Sequence, residues 1–230
     1  MHLLAITLLF AAPLAGQNIQ GFDSNTKATQ WADSLMQHMS MDEKIGQLFM
    51  VAAYANRDTT HRAEILALVE DYYVGGLIFF QGSPIAQTKL LNSYQEQSRI
   101  PLWVGMDAEW GIGMRLDSAM SFPFQMTLGA IQDDALIYKM GETIGRQFDR
   151  MGMHINFAPV LDINNNAENP VINFRSFGEN KHNVSSKARL TWQDCRLQIF
   201  WLPENTSPDM AIRRRIPTKI CLRSIIVGKG

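Results

Sequence analysis

An α/β fold built on a parallel sheet is the expectation from this sequence, and three observations carry it. Apolar runs of strand length recur without in-out alternation, at 46–52, 77–80, 101–107 and 155–163. Segments with apolar residues at helical spacing separate them. Acidic and basic residues gather just beyond the later runs, at Asp107, Glu109, Arg115, Asp162 and Arg175. Continuous apolar strands alternating with helices describe parallel strands covered on both faces. In such folds the edge formed by the strands' carboxyl ends carries the site. Four strand-helix units suit half of an eight-stranded barrel or a small doubly wound sheet, and periodicity alone does not choose between them. No GxGxxG or Walker sequence follows any run, which removes the usual support for a nucleotide-binding sheet.

In chain order, residues 30–39 have the pattern of a short amphipathic helix. Ser40, Met41, Asp42 and Glu43 then read as a capping box, with Ser40 accepting from the Glu43 amide. GQLFMVA is the first strand. A polar loop leads from it to a helix over 61–73, where Ile65, Leu66, Leu68, Val69 and Tyr72 fall at helical spacing and Gly75 and Gly76 stop the element. LIFF is the second strand. Ser83 as N-cap and Pro84 at the first helical position open a helix over 83–98, and PLWVGMD is the third strand. A helix over 133–151 ends at Gly152. INFAPVLDI supplies the fourth strand, and the polar stretch NNNAENPVINFRSFGEN follows it as a loop.

With 230 residues, 46% of them hydrophobic and 19% charged, the composition is globular and excludes disordered and collagen-like chains. An eight-stranded α/β barrel takes about 250 residues, slightly more than are present. A net charge of −1 exerts no overall pull on nucleic acid or anionic lipid. That average hides an imbalance of +4 over 190–230 against −5 over 1–189. Both cysteines, Cys195 and Cys221, fall in the basic segment, so 1–189 holds neither a disulfide nor a thiolate metal site. No metal and no cofactor is expected. The apolar run over 3–15 ends in small residues and has the length of a signal-peptide core, too short to span a bilayer. Residues 1–16 are therefore expected to be a signal peptide and the protein to be exported, periplasmic or extracellular. No cysteine stands there to take a lipid anchor, and no later segment is long and apolar enough for a membrane span.

Five motifs, MSMDEKIGQLFM, VGGLIFF, GMDAEWGIGMRL, INFAPVLDIN and NFRSFGEN, resemble in order and spacing the N-terminal barrel domain of glycoside hydrolase family 3. The likeness is to its β-N-acetylglucosaminidase (β-hexosaminidase) branch and covers residues 31–188. It implies the N-terminal half of a TIM-type (β/α)8 barrel over 17–189. The implied activity is a glycosidase that removes terminal β-linked N-acetylglucosamine in carbohydrate or peptidoglycan turnover, with carbohydrate as its partner and no nucleic acid. A β-glucosidase of the same family, or a non-catalytic sugar-binding or vestigial fragment, is the alternative. In the family's terms Asp107 would bind hydroxyls of the terminal sugar, and Arg115 and Arg175 would hold that sugar or the carboxylate beside it. A carboxylate accepts from two vicinal hydroxyls and a guanidinium fork donates in fixed geometry. The residues by themselves also allow Asp107 as a loop cap and Arg115 and Arg175 as ion-pair partners. Glu109 and Asp162 read as groups that orient arginines or loop amides, with contact to the sugar as the alternative. Trp110 reads as packing, with stacking on a sugar face as the alternative, and His154 and His182 have no partner at ligand spacing. Where the family commonly has DQEGGRV this chain has Asp107, Ala108, Glu109, Trp110, Gly111, Ile112 and Gly113, a change in one wall of the pocket.

Retaining hydrolysis needs a nucleophile on one side of the anomeric carbon and a proton donor on the other. In the branch this chain resembles, the donor is a histidine held by an aspartate in a loop after KHFPGHGDT, and the nucleophile is an aspartate on a later strand. Neither has a counterpart here, so the expectation is that the 230-residue chain carries no catalytic residue of its own. Residues 190–230 instead read as an irregular, out-of-frame tail. Codons that spell residues 205–220, read with the first two bases skipped, can spell HFPGHGDTATDSHKD, the family's catalytic loop. Extended back from Leu190, the same frame can spell YMARLQVADILATGK, a helix and strand leading into that motif. A single-base insertion or deletion near Arg189 accounts for both.

Overall fold

The computed structural model describes residues 27–193. The expected signal peptide over 1–16 and the expected tail from residue 194 onward lie outside the described residues. The chain divides into two compact units, Met1–Ser40 and Met41–Gly230. In the first unit one helix is described, α1 (Lys27–His38), which starts a turn earlier than its amphipathic pattern indicated. The Ser34 carbonyl accepts from His38 Nδ1 at 2.7 Å, a basic side chain satisfying the last turn.

The second unit opens with α2 (Met41–Gly46), whose first turn places Asp42 and Glu43 at the positive end of the helix. Strand β1 is Met50–Ala53, so the apolar run GQLFMVA is only in part a strand. Its first residues form a turn, with Leu48 and Phe49 amides donating to the Ile45 and Gly46 carbonyls at 3.0 Å. The turn exists because two backbones meet there. A Cβ on Gly46 would lie 2.1 Å from the Tyr72 carbonyl oxygen, and one on Gly75 would lie 2.1 Å from that of Gln47. Helix α3 (Thr59–Glu70) is capped by Asp58, whose Oδ1 accepts from the His61 amide at 3.1 Å, and it ends before Gly75. Gly75 therefore serves the backbone crossing rather than the helix stop. Strand β2 is Gly76–Phe79. Helix α4 (Pro84–Gln97) begins as expected, with Ser83 Oγ accepting from the Ala86 amide at 3.2 Å.

Strand β3 is Trp103–Met106, followed by a loop with a 3-10 turn at Ile112–Met114 and a short helix α5 (Gln125–Gly129). Helix α6 (Asp134–Arg150) takes Asp133 as its cap and is closed by Gly152 at φ +69°, a conformation suited to glycine. Strand β4 is only Ile155–Asn156. The apolar run continues, but Pro159 has no amide to extend a ladder. Gln125, 1% exposed, supplies a substitute by donating to the Val160 carbonyl and accepting from its amide, both at 3.1 Å. Helix α7 (Lys181–Gln193) completes the described residues and passes the tail boundary expected at 189.

The four strands are parallel and lie side by side in chain order, β1-β2-β3-β4. A doubly wound sheet reverses its strand order at a switch point; this one does not, and the fold is the N-terminal half of a TIM-type barrel. The expected covering of both faces resolves into two unlike faces. Leu77, Phe79, Val104 and Met106 are fully buried in one apolar cluster with Ile65 and Val69 of α3, Leu90 and Leu91 of α4, and Ile137 and Ile144 of α6. The register Met50–Gly76–Trp103 belongs to the other face, which lines a hollow of about 260 Å³ with Leu48, Phe49 and Ile155. There large and small residues alternate: a Cβ on Gly76 would sit 2.8 Å from Met50 Cε, and one on Gly105 2.7 Å from Phe157 Cε2. Both faces of a barrel strand are apolar, so the sequence shows no alternation although the structure has one.

Two predictions arise from this packing. Gly129 abuts Phe177, which is 1% exposed, and a Cβ there would lie 1.9 Å from the Phe177 carbonyl oxygen. Asn183 Nδ2 donates to both the Gly129 and Phe177 carbonyls, at 2.9 and 3.3 Å, which holds the crossing tight. Gly129→Ala is expected to lower stability by about 3 kcal/mol through overpacking, seen as a lower urea midpoint; an unchanged midpoint would contradict the contact. The second concerns His154, whose backbone amide donates to the Val104 carbonyl at 2.8 Å while its Nδ1 accepts from the Val104 amide at 3.0 Å. Burial lowers its pKa to about 4. The unfolded chain takes the proton first, so stability is expected to fall as pH drops from about 6.5 to about 4, by roughly 3 kcal/mol, and then to level. His154→Asn keeps an acceptor without the titration, and comparing urea midpoints at pH 7 and pH 4 checks the difference.

Candidate active site

Every residue singled out for a site stands beyond the carboxyl end of β3 or β4. Asp107 follows Met106 directly, and the next amide, that of Ala108, donates to Asn156 Oδ1 at 3.1 Å. That bond ties the loop after β3 to β4. Gly111, at φ +87°, turns the loop into its 3-10 segment, which delivers Arg115 back toward the strand end. Arg115 Nη2 donates to Asp107 Oδ2 at 2.6 Å, and its guanidinium carbon lies 4.8 Å from the centre of the Phe80 ring. The aromatic face and the carboxylate fix the arginine from two directions. Its Nε is buried with no hydrogen-bond partner among the described residues.

The second pair spans 66 positions of sequence. Arg175 leaves the 3-10 turn Asn173–Arg175, and its Nε donates to both oxygens of Glu109 at 3.1 Å while Nη2 donates to Oε1 at 2.7 Å. Glu109 is 3% exposed and Arg175 33%. The Glu109 hydrogen bonds, and then the nearby negative charge of Asp107 and Asp162, push the Arg175 pKa above its already high value. The Nε–Nη2 edge of the guanidinium is thus occupied. Among the described residues Nη1 has only a 3.5 Å contact with the Val171 carbonyl, on the exposed side of the guanidinium.

The structure therefore brings together Asp107, Arg115 and Arg175, with Glu109 orienting Arg175 and Asp162 near it. Asp162 contributes its backbone as well, since its carbonyl accepts from Ser176 Oγ at 2.6 Å. Ser176, fully buried, also accepts from the Gly178 amide at 3.1 Å and holds the loop that presents Arg175. Trp110 packs edge-on against Phe124. His154 pairs with the Val104 backbone, and His182 sits in the first turn of α7, its amide donating to Asn180 Oδ1. Sequence reasoning missed Asn156, Phe80, Gln125 and Ser176. Asn156, Phe80 and Gln125 act on partners in other elements, and Ser176 on the Asp162 carbonyl and the Gly178 amide of its own loop, and no signal in the sequence marks them.

The model of the glycosyl hydrolase family 3 N-terminal domain matches residues 40–194. Beta-hexosaminidase A of Pseudoalteromonas piscicida is 37% identical over 135 residues, covering 53% of this chain and 23% of the relative. A beta-N-acetylglucosaminidase/beta-glucosidase of Cellulomonas fimi is 26% identical over 166 residues, covering 72% of this chain and 28% of the relative. Among solved structures, a family 3 beta-N-acetylglucosaminidase from Paenibacillus sp. str. FPU-7 aligns with a TM-score of 0.61 at 30% identity, over 69% of this chain and 31% of that one. The chain thus spans between about a quarter and a third of the length of these relatives.

Proposed function

Because the chain belongs to glycosyl hydrolase family 3 through its N-terminal domain, we propose that it forms the sugar-holding wall of a glycosidase for terminal β-linked N-acetylglucosamine. One observation carries the reading. Two carboxylate–guanidinium pairs, Asp107 with Arg115 and Glu109 with Arg175, stand together at the carboxyl edge of a parallel half-barrel. Asp107, 28% exposed in its side chain, accepts hydroxyls with the oxygen its arginine leaves free. Arg115 and Arg175 donate to hydroxyl or carbonyl oxygens from their open edges, preorganised by their carboxylates. The names of the Cellulomonas relative and of the Paenibacillus structure support N-acetylglucosamine as the sugar, and peptidoglycan fragments are a natural source of such ends. The name of the Cellulomonas relative also includes glucosidase, which keeps β-glucosides as the second reading.

Titration of the full chain with N-acetylglucosamine and with glucose, followed by ligand-observed NMR, tests the proposal. Binding of N-acetylglucosamine that weakens in Asp107→Asn supports it, and absence of binding to either sugar overturns it. The apolar run over 3–15 supports export. Fractionation of cells expressing the chain, with N-terminal sequencing of the mature product, tests that, and an uncleaved cytoplasmic protein would refute it.

A further inference from the structure

The two arginines of the rim are fixed in unlike ways. Arg175 spends three donor contacts on Glu109, whereas Arg115 makes one hydrogen bond, from Nη2 to Asp107. A single bond fixes a point and leaves the guanidinium plane free to turn about it. The Arg115 Nε, buried and without a hydrogen-bond partner among the described residues, adds no second anchor. The plane of this guanidinium is therefore set by what it lies against, the ring of Phe80.

Phe80 is itself held. Its ring is stacked on that of Tyr54, with centroids 5.3 Å apart and 21° between the planes. Tyr54 is gripped in turn by His61, a buried residue of α3, whose Nε2 accepts from the Tyr54 amide at 3.1 Å and whose ring meets the Tyr54 ring edge-on at 5.5 Å. Accepting at Nε2 places the ring proton on Nδ1, toward Glu64 Oε2 at 3.8 Å. The Arg57 guanidinium carbon lies 3.7 Å from the centre of the Tyr54 ring. A series of side-chain contacts thus runs from α3 and the end of β1, through the end of β2, to Arg115 and Asp107. The backbone takes the same course, since the Ala55 amide donates to the Gln81 carbonyl and the Asp117 amide to the Gly82 carbonyl, both at 2.8 Å. Aliphatic side chains would satisfy packing at this edge as well as rings do. Flat rings add direction, because a cation is drawn to the ring face and stacked rings keep that face in place.

We propose that Tyr54 and Phe80 are positioning residues of the rim: they hold the Arg115 guanidinium in the plane from which it donates to Asp107, and His61 locks Tyr54 for that task. The proposal rests on the reading that the rim binds a sugar. It extends the determinants of sugar affinity to the ends of β1 and β2, whose rings act through Arg115 and not on the sugar.

The experiment follows the side-chain Nε–Hε resonance of Arg115 in the isotope-labelled 230-residue chain, identified by its loss in Arg115→Lys, together with titration by N-acetylglucosamine. Tyr54→Leu and Phe80→Leu keep an apolar side chain and remove a ring, and Tyr54→Phe keeps the ring. Both leucine variants, checked for fold by circular dichroism, are expected to move the Arg115 resonance toward that of a free arginine and to weaken binding about fivefold, the order of one cation–π contact. Tyr54→Phe should match the wild type in both. In an Arg115→Lys background Tyr54→Leu should weaken binding no further, which separates action through Arg115 from direct contact with the sugar and from general loosening of the fold. An unmoved resonance or an unchanged affinity in either folded leucine variant, or an equal loss in the Arg115→Lys background, would overturn the positioning role while the wild-type chain still bound the sugar. If the wild-type chain binds no N-acetylglucosamine, the rim reading fails and the positioning role with it.

Discussion

A polypeptide of these 230 residues is expected to release no nitrophenol from 4-nitrophenyl N-acetyl-β-glucosaminide above the buffer rate. A chain restored to the shifted frame after residue 189 is expected to exceed it by at least about a thousandfold. Retention needs an acid/base and a nucleophile facing each other across the anomeric carbon, and losing either removes orders of magnitude in rate. Asp107 and Glu109 at the described rim are each bound by a guanidinium, and the proposed function gives them a holding rather than a reacting role. Codons permitted for 205–220 can spell the loop that would supply the proton donor when read in the other frame. Turnover by the unaltered chain at a rate near that of the restored one would refute the frame account. An intact gene with no barrel coding in either shifted frame downstream would refute it as well.

The second large effect is expected at Arg175. Removing the guanidinium in Arg175→Ala leaves Glu109, 3% exposed, without its partner. An orphaned buried charge costs roughly 3 to 5 kcal/mol, and the one-third exposure of Arg175 moderates that to about 2 kcal/mol. Arg175→Lys should recover only part of this stability. An ammonium reaches one Glu109 oxygen as a point charge and cannot reproduce three donor contacts and an open edge together. In a frame-restored chain Arg175→Lys is expected to lower kcat/KM by about a hundredfold, since the sugar-facing edge loses its fixed direction. Wild-type kinetics and an unshifted urea midpoint in Arg175→Lys would reduce the pair to an incidental surface contact.

Much of the local architecture was legible because its causes are local. Ser83 and Pro84 open α4 where a cap and a first-turn proline should, and Asp133 and Gly152 bracket α6. The alternation of buried strand runs with helices emerged as four parallel strands. The misses have non-local causes. The first strand begins late because Gly46 and Gly75 let two backbones cross. The fourth stops where Pro159 can no longer donate, and Gln125, from another element, takes over the pairing of Val160. Nothing within either run announces those partners.

For the candidate site the division follows the same line. The amino-acid sequence by itself placed Asp107, Arg115 and Arg175 beyond strand ends, because strand length and polarity are written in consecutive residues and parallel strands present their carboxyl ends together. It also determined the family, since the spacing of five motifs survives in one dimension. The tertiary structure alone decided that the strands follow one another without a switch point, and that Arg175 presents Nη1 rather than its fork. It alone decided that the rings of Tyr54 and Phe80 lie in series with Arg115. Those facts depend on contacts between residues tens of positions apart. Their geometry is set when the core of Leu77, Phe79, Val104 and Met106 closes against the helices and carries the loops with it.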